Sequence, residues 1–328
     1  MIISKTPLRI SFFGGGTDYP GYYEVYGGET LGTTIDKYIY LTLSRLSAFF
    51  DHRIHIGYSK SELARTVDEI QHPSVKACLK HLGIDSGVEI FVMADLPART
   101  GLGSSSCFTV GLLTCLHAFK GNLVSKDFIA REAIHIEQKL IGERVGSQDQ
   151  VATSFGGILN IHFNKQATFR AEPLPASQER VALLQDHLML YFTGISRTAH
   201  EILEEQAGRM EHNSNALGRM RQQVKEACHI LCDPKRDLRE FGEMLHESWT
   251  LKKSLSSRVS NEVVDDAYAK ARRKGAVGGK LCGAGGGGFI LLFVPPDRQD
   301  EVRAALSHLI HVPFRFETTG SHLIYFQH

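Results

Sequence analysis

The sequence predicts an α+β protein with two domains. Its 328 residues are about twice the ~150 residues of an average domain, and 42% of them are hydrophobic, which is enough for two packed cores. In the first half, strand patterns lead into a glycine-rich loop and a helix. In the second half, the order strand, helical tract, strand pair, helix and strand suits a ferredoxin-like sandwich. We place the boundary near residue 175, which gives domains 1–175 and 176–328.

The elements of the first half follow from residue spacing. β-Branched and aromatic residues that alternate with polar ones are typical of strands, and apolar residues at helical spacing without proline are typical of helices. Ser125 is a candidate N-cap because its hydroxyl can accept a hydrogen bond from the first helical turn. The predicted elements are strands 2–13, 33–45 and 88–97, helices 104–119 and 126–140, and a strand within 156–163.

The second half begins with a polar segment. Residues 164–186 contain two prolines and no sustained period, so we expect an irregular connection there. Thr198 and Glu201 form a capping-box pattern, and Asn261 is a candidate N-cap for a helix that stops at Gly275. The predicted elements are strand 188–193, a helical tract over 198–274, a glycine-interrupted strand pair over 277–294, helix 297–309 and strand 313–326.

Charge and composition argue against several classes of partner. Lys and Arg total 37 against 36 Asp and Glu, so a net charge of +1 provides no field to attract nucleic acid or a membrane. The chain starts without a secretion-signal pattern, and no apolar run approaches ~20 residues. Six cysteines are scattered along the chain, and the Cys228 to Cys232 spacing lacks a second ligand pair for zinc. We expect a cytoplasmic protein that acts on a small polar molecule.

A glycine-serine segment after the strand at 88–97 is typical of a phosphate site. In Gly101-Leu102-Gly103-Ser104-Ser105-Ser106, the glycines let the backbone approach a ligand closely. The helix that follows presents unpaired N–H groups and a partial positive charge, and the hydroxyls suit a phosphate oxygen or Mg²⁺. The alternative is a plain turn that caps the helix. With its neighbours considered, we interpret the segment as a nucleotide phosphate site.

A second glycine cluster, from Gly283 to Gly288, formally satisfies the dinucleotide pattern G-x-G-x-x-G. That pattern must open a helix, whereas the residues that follow, 289–293, read as a strand. The alternatives are a flexible hairpin and a loop that lines a nucleotide site, and we favour the second because so many glycines are costly unless the backbone packs closely. The chain has neither a P-loop pattern nor the protein-kinase motifs.

Two acidic residues and one arginine complete the candidate site. Asp149 follows the helix that carries Glu137, so both carboxylates can converge beside the serines. One carboxylate at a hydroxyl and another at Mg²⁺ is what phosphoryl transfer needs, although most acidic residues are solvated surface charges. Arg9 lies within an apolar strand, so it needs an anionic partner, either Asp149 or a phosphoryl group.

These residues resemble the galactokinase, homoserine kinase, mevalonate kinase and phosphomevalonate kinase (GHMP) superfamily. The three signature segments of that superfamily are similar to residues 6–28, 97–113 and 280–293. The resemblance implies a first domain of the ribosomal protein S5 domain 2-like type and a ferredoxin-like second domain. It also implies ATP between them, with its phosphates on the second segment.

The resemblance assigns roles to individual residues. Asp149 matches the catalytic aspartate and Arg9 the basic residue beside it, while Ser105 and Glu137 match the Mg²⁺ ligands. Asp18 takes the place of an aspartate that holds sugar hydroxyls, but Gly14 to Gly16 replace the Gly-Glu-His of galactokinases, which argues against galactose. The remaining matches are Gly283, Gly285 and Gly286 at the nucleotide and Gly15, Gly16 and Thr17 at the substrate.

Within the superfamily, several segments resemble the bacterial D-glycero-D-manno-heptose 7-phosphate kinases, which act at the anomeric hydroxyl in the synthesis of nucleotide-activated heptose. Those segments are GGGTDYP, TTIDKYIY, GSQDQVATSFGG, FTGISRTAHEILEEQ and HESWTLKKSLS. A phosphate at the far end of the sugar would need cations, and Lys37, Arg99 and Arg197 are the candidates by motif position. The alternatives are a kinase of unphosphorylated heptose, a fucokinase-like sugar 1-kinase and a non-catalytic sugar-sensing relative. A homodimer is the expected assembly.

Overall fold

The computed structural model describes residues 1–195 and 213–327, and all structural statements below refer to these residues. The helices are α1 (Pro20–Tyr26), α2 (Pro73–His81), α3 (Ser104–Phe119), α4 (Lys126–His135), α5 (Gln148–Phe155), α6 (Gln178–Asp186), α7 (Ser214–Cys232), α8 (Arg239–Ser254), α9 (Glu262–Arg273) and α10 (Gln299–Ala305). The strands are β1 (Ile2–Phe13), β2 (Gly28–Arg45), β3 (Ile54–Gly57), β4 (Ser61–Ala64), β5 (Val88–Ala94), β6 (Ile158–Phe163), β7 (Phe169–Pro173), β8 (Leu188–Phe192), β9 (Gly278–Leu281), β10 (Phe289–Phe293), β11 (Ile310–His311), β12 (Phe316–Glu317) and β13 (His322–Phe326).

The larger sheet is built around the long strand β2. Its main path runs β13-β1-β2-β5-β3-β4, and β6 and β12 also pair with β2, while β7 pairs with β6. The amphipathic strands turn one face towards α3, whose apolar side chains, including Leu112, Leu113 and Leu116, are fully buried. This packing holds α3 against β1 and β2.

The smaller sheet has the strand order β11-β8-β10-β9, all antiparallel. Numbered along the chain, this order is 4-1-3-2, with α7, α8 and α9 in the first crossover and α10 in the second, so the ferredoxin-like prediction is confirmed. The strands β9 and β10 are buried along their whole length because helices cover one face and the first half of the chain covers the other.

A continuous core joins the two halves. The ring of Phe241 on α8 makes edge-on contacts with Phe12 and Phe13 of β1, at centroid distances of 5.4 Å and 5.0 Å. Helix α8 also lies very close to β9, since a Cβ on Gly278 would come within 1.8 Å of the Gly242 carbonyl oxygen. Together these contacts bring β1, α8 and β9 side by side at the base of a cleft.

Most predicted elements are confirmed, including both N-caps. Ser125 accepts a hydrogen bond from Phe128 N at 3.1 Å, and Asn261 accepts one from Val264 N at 3.1 Å. The helix expected over 126–140 ends as α4 at His135 and continues as a π-helical turn to Ile141. The capping-box pattern at Thr198 and Glu201 lies outside the described residues.

Two predictions of local structure are wrong. Residues 164–186 contain β7, which pairs with β6 through a turn closed by Asn164, and α6, which Ser177 caps. The strand expected over 313–326 is two short strands, β12 and β13, and both belong to the larger sheet, where they pair with β2 and β1. The fourth strand of the smaller sheet is the two-residue β11 instead. The division of the chain at residue 175 stays a prediction.

No helix within residues 1–195 and 213–327 is both long and apolar enough to cross a membrane.

Candidate active site

A cleft of about 340 Å³ opens between the two halves of the chain. Four segments line it: the turn after β1, the glycine-serine loop before α3, the loop that leads into α5, and the glycine loop between β9 and β10. Residues from α7 and α8 complete the wall on the side of the second half. The three signature segments of the sequence therefore meet at one place.

The two glycine loops touch backbone to backbone. A Cβ on Gly101 would lie 2.5 Å from the carbonyl oxygen of Cys282, and a Cβ on Gly283 would lie 2.4 Å from the Cα of Gly101. Gly103, which caps α3, has the left-handed backbone conformation that glycine adopts at least cost. The loop therefore exposes the N-terminus of the 16-residue helix α3 to the cleft, where a phosphate is favoured.

Arg9 and Asp149 form a bidentate ion pair in the cleft. Arg9 Nε donates to Asp149 Oδ1 and Nη2 donates to Oδ2, both at 2.8 Å, while Nη1 donates to the Gly101 carbonyl at 2.7 Å. The arginine side chain is 5% exposed and that of Asp149 is 23% exposed, so the carboxylate faces the cleft and the guanidinium supports it from below. Of the two partners expected for Arg9, the structure shows Asp149.

Glu137 is buried within the π-helical turn and contacts Ser106, which lines the cleft. Its Oε2 accepts hydrogen bonds from Ser106 Oγ at 2.8 Å and Gln150 Nε2 at 2.5 Å, and its Oε1 has no protein partner among the described residues. Burial raises the pKa of Glu137 to about 7. The serine that contacts Glu137 is Ser106, whereas Ser105 is exposed at the cleft. Of the two predicted Mg²⁺ ligands, Glu137 therefore contacts the serine that follows Ser105 and does not contact Ser105 itself.

Asp18 is a buried residue of the cleft, near enough to Asp149 for the two charges to interact. Its Oδ1 accepts a hydrogen bond from Gly16 N at 2.9 Å, and Gly146 makes room for it, because a Cβ there would come within 1.9 Å of Oδ2. Burial, and then the charge of Asp149, raise the pKa of Asp18 to about 6. Gly15 and Gly16 line the cleft, whereas the hydroxyl of Thr17 is buried against the carbonyls of Gly14 and Glu29.

The other predicted residues divide into two groups. Those that line the cleft are Arg99, Gly101, Gly103, Ser104, Ser105, Ser106, Gly283 and Gly285. Leu102 is buried in the core and its carbonyl accepts from Arg9 N, while Gly286 N donates to the Val259 carbonyl. Lys37 lies outside the cleft at a bulge of β2 and contacts its neighbour Asp36. Arg197 lies outside the described residues.

Sequence reasoning missed two lysines in the cleft. Lys252 of α8 and Lys280 of β9 are 8% and 3% exposed, and both line the cleft. In the sequence, Lys252 precedes Lys253 near the end of a helix, where a basic pair is ordinary, and only its spacing of three from Trp249 indicates an inward position. Lys280 stands in an otherwise apolar predicted strand, a signal like the one that identified Arg9.

Comparisons with known proteins agree on one family. A model of the GHMP kinases N terminal domain matches residues 69–157, and a model of the GHMP kinases C terminal matches residues 220–311. The D-glycero-alpha-D-manno-heptose 7-phosphate kinase of Campylobacter jejuni is 30% identical over 322 residues, which are 93% of this chain and 93% of that protein. The bifunctional fucokinase/GDP-fucose pyrophosphorylase of Arabidopsis thaliana is 29% identical over 92% of this chain and 31% of its own length. The crystal structure of a D-glycero-D-manno-heptose 1-phosphate kinase from Bacteroides thetaiotaomicron superimposes with a TM-score of 0.81 at 27% identity, covering 100% of both chains.

Proposed function

The chain belongs to the GHMP kinase family and is an ATP-dependent sugar kinase, and we propose that its acceptor is the anomeric C1 hydroxyl of D-glycero-D-manno-heptose 7-phosphate. The product is then the 1,7-bisphosphate. The observation that carries the proposed phosphoryl transfer is the Arg9–Asp149 pair, held at 2.8 Å beside the exposed N-terminus of α3. A carboxylate and a cation thus stand next to a phosphate site in one cleft.

The pair suits direct phosphoryl transfer. The acceptor oxygen bonds to the γ-phosphorus as the bond from that phosphorus to the β–γ bridging oxygen breaks, and ADP leaves. Asp149 orients the acceptor hydroxyl and takes its proton, which then passes to solvent. Arg9 and the N–H groups of α3 stabilise the negative charge on the phosphoryl oxygens. No covalent intermediate with the protein is needed.

The residues also fit a magnesium ion shared with ATP. Mg²⁺ takes oxygen ligands and is held by one or two protein groups together with phosphates. Ser105 and Ser106 supply hydroxyls at the cleft, and Glu137 has a buried oxygen without a protein partner among the described residues. We propose that these three residues hold the ion, which when bound neutralises phosphate charge.

Since the reaction consumes ATP, we propose that the protein acts in the cytoplasm.

Asp18 and the glycine turn support a sugar as the acceptor. The buried carboxylate of Asp18 lines the cleft with Gly15 and Gly16, so sugar hydroxyls can donate to it at close backbone approach. The choice of heptose rests on the names of the similar heptose kinases from C. jejuni and B. thetaiotaomicron. The similarity to fucokinases from A. thaliana and Bacteroides fragilis favours a fucokinase-like sugar 1-kinase as the second candidate.

The test is ATP consumption by the purified protein in the presence of Mg²⁺. The acceptors are D-glycero-D-manno-heptose 7-phosphate, the free heptose, L-fucose, mannose, galactose and mevalonate, with Asp149→Asn as the inactive control. We expect the largest kcat/KM for the heptose 7-phosphate, with the new phosphate located at C1 by ³¹P NMR. Preference for free heptose or fucose would overturn the heptose 7-phosphate assignment, and the absence of turnover with all six would overturn the proposed reaction.

A further inference from the structure

Two buried lysines line the cleft without a contacting carboxylate among the described residues, and the charge of Asp18 acts on Lys280 only from a distance. Lys252 Nζ donates to the carbonyls of Leu281, at 3.0 Å, and Gly283, and Lys280 Nζ donates to the Phe12 carbonyl at 2.8 Å. Neither contacts a carboxylate among the described residues, in which ion pairs of other lysines and arginines are frequent. The lysine pair, as we call Lys252 and Lys280, is therefore only partly satisfied by the protein.

This arrangement is costly in the free protein. An ammonium group in an apolar environment needs a paired anion, and carbonyl oxygens offset only part of the lost hydration. The ring of Trp249 lies 6.0 Å from Lys252 Nζ, at the limit of a cation–π contact. Burial and the mutual repulsion with Lys280 lower the pKa of Lys252 to about 7, and burial lowers that of Lys280 to about 8.

The cations are fixed in place by the fold. Lys280 lies on β9, and its bond to Phe12 ties that strand to β1, three residues after Arg9. Lys252 reaches the same place because α8 lies against β9 at the close contact of Gly242 and Gly278. Leu255, Met220 and Cys282 line the cleft around them, and such apolar neighbours strengthen any charge interaction inside.

We propose that the lysine pair binds a phosphate dianion in the cleft, an inference that deepens the proposed function and rests on it for the identity of the ligands. Two ammonium groups match the two charges of a phosphate group, and lysine binds phosphate as a point charge without a fixed geometry. The phosphate has two sources, the γ-phosphate of ATP and the phosphate that the sugar carries. The same cations that are unpaired in the free protein become paired in the complex.

The lysine pair has a matched control in the adjacent residue. Lys253 is 39% exposed and pairs with Asp265 on the surface of α9. Lys252→Met and Lys280→Met keep most of the side-chain length and remove the charge, and Lys253→Met does the same one position away. Because the pair is repulsive, we expect the midpoint of thermal unfolding of each free variant to equal or exceed that of the wild type. A purely structural role for the lysines predicts a lower midpoint.

Isothermal titration calorimetry on the full chain then separates the sources. The probes are Mg²⁺ with the non-hydrolysable analogue AMPPNP, D-glycero-D-manno-heptose 7-phosphate and the free heptose. Loss of a charge-assisted contact should raise Kd for a phosphate-bearing probe by ~10-fold or more in both variants and leave Lys253→Met unchanged. A rise for AMPPNP identifies the γ-phosphate, and a rise for heptose 7-phosphate without one for free heptose identifies the sugar phosphate.

Three results would overturn the inference. One is a Kd within twofold of the wild type for both phosphate-bearing probes, another is equal weakening of all three probes, and the third is the same loss in Lys253→Met. If a methionine variant does not fold, the Lys→Gln variant at that position takes its place in the same titrations. Absence of turnover with lysine-dependent binding would refute the proposed function alone, and normal turnover with unchanged binding in the variants would refute this inference alone.

Discussion

The two sides of the cleft differ in how their charged side chains are paired. On the side of the first half, Arg9 and Asp149 neutralise each other through two hydrogen bonds of 2.8 Å. On the side of the second half, Lys252 and Lys280 are held only by main-chain carbonyls. Arg9 and the two lysines are buried, and Asp149, at 23% exposed, is the most exposed of the four side chains.

This difference indicates which charged groups already have their functional orientation in the free protein. A paired carboxylate has one orientation, and this is what a group that contacts a reacting hydroxyl requires. Unpaired buried cations destabilise the free protein, and a bound phosphate neutralises their charge. Part of the stability of the free protein is therefore exchanged for affinity towards phosphate. Variants of the paired side should therefore change turnover, and variants of the unpaired side should change binding.

Asp149→Asn should break the paired side with the largest effect. The amide keeps the shape of the side chain but cannot take the acceptor proton or neutralise Arg9, so kcat should fall by ~10³-fold or more while ATP binding persists. Steady-state kinetics and calorimetry with AMPPNP measure both. Asp127→Asn, at an exposed pair with Arg131 on α4, is the control. Turnover near that of the wild type would remove Asp149 from the reaction.

Arg9→Lys should have the next largest effect. Lysine retains the charge but cannot make two parallel hydrogen bonds to Asp149 or reach the Gly101 carbonyl at the same time, so Asp149 loses its fixed orientation. We expect kcat to fall by ~10²-fold with a smaller change in KM for ATP. An unchanged kcat would mean that the charge of Arg9 matters and its geometry does not. Circular dichroism of the variant checks that the fold is retained.

The unpaired side should make the stability of the free protein depend on pH. Both lysines have pKa values, about 7 and about 8, below the 10.5 of an unfolded chain, so the unfolded state binds more protons between pH 7 and 10. Stability should therefore rise with pH, by roughly 2 kcal/mol from Lys252 between pH 7 and 9. Arg9, Asp18 and Cys282 also face the lysines and are present in both the wild type and Lys252→Met. Urea unfolding of wild type and Lys252→Met measures the difference, and equal slopes against pH would contradict the unpaired state.

The sequence predicted the paired side better than the unpaired side. Arg9 could be identified because a guanidinium in an apolar strand needs an anionic partner, and Asp149 because it follows the helix of Glu137 and matches the catalytic aspartate of the superfamily. Lys252 was missed because its burial depends on the approach of α8 to β9, which no local pattern shows. The return of β12 and β13 to the larger sheet was missed because two-residue and five-residue strands carry little periodicity. Lys37 was assigned to the sugar phosphate by its motif position. In the structure it lies at the bulge of β2, outside the cleft.

Asp18→Asn should have the smallest effect of these variants, on the binding of the sugar. Asp18 lies between the two sides: it is buried like the lysines, and it is held by the N–H of Gly16 at 2.9 Å. Under the proposed function its carboxylate accepts sugar hydroxyls, so the amide should raise KM for the sugar by ~10-fold with kcat and KM for ATP nearly unchanged. Because burial and Asp149 raise the pKa of Asp18 to about 6, KM of the wild type should rise as the pH falls through 6. The variant has no such titration, and a KM that changes with pH equally in both proteins would show that another group controls sugar binding.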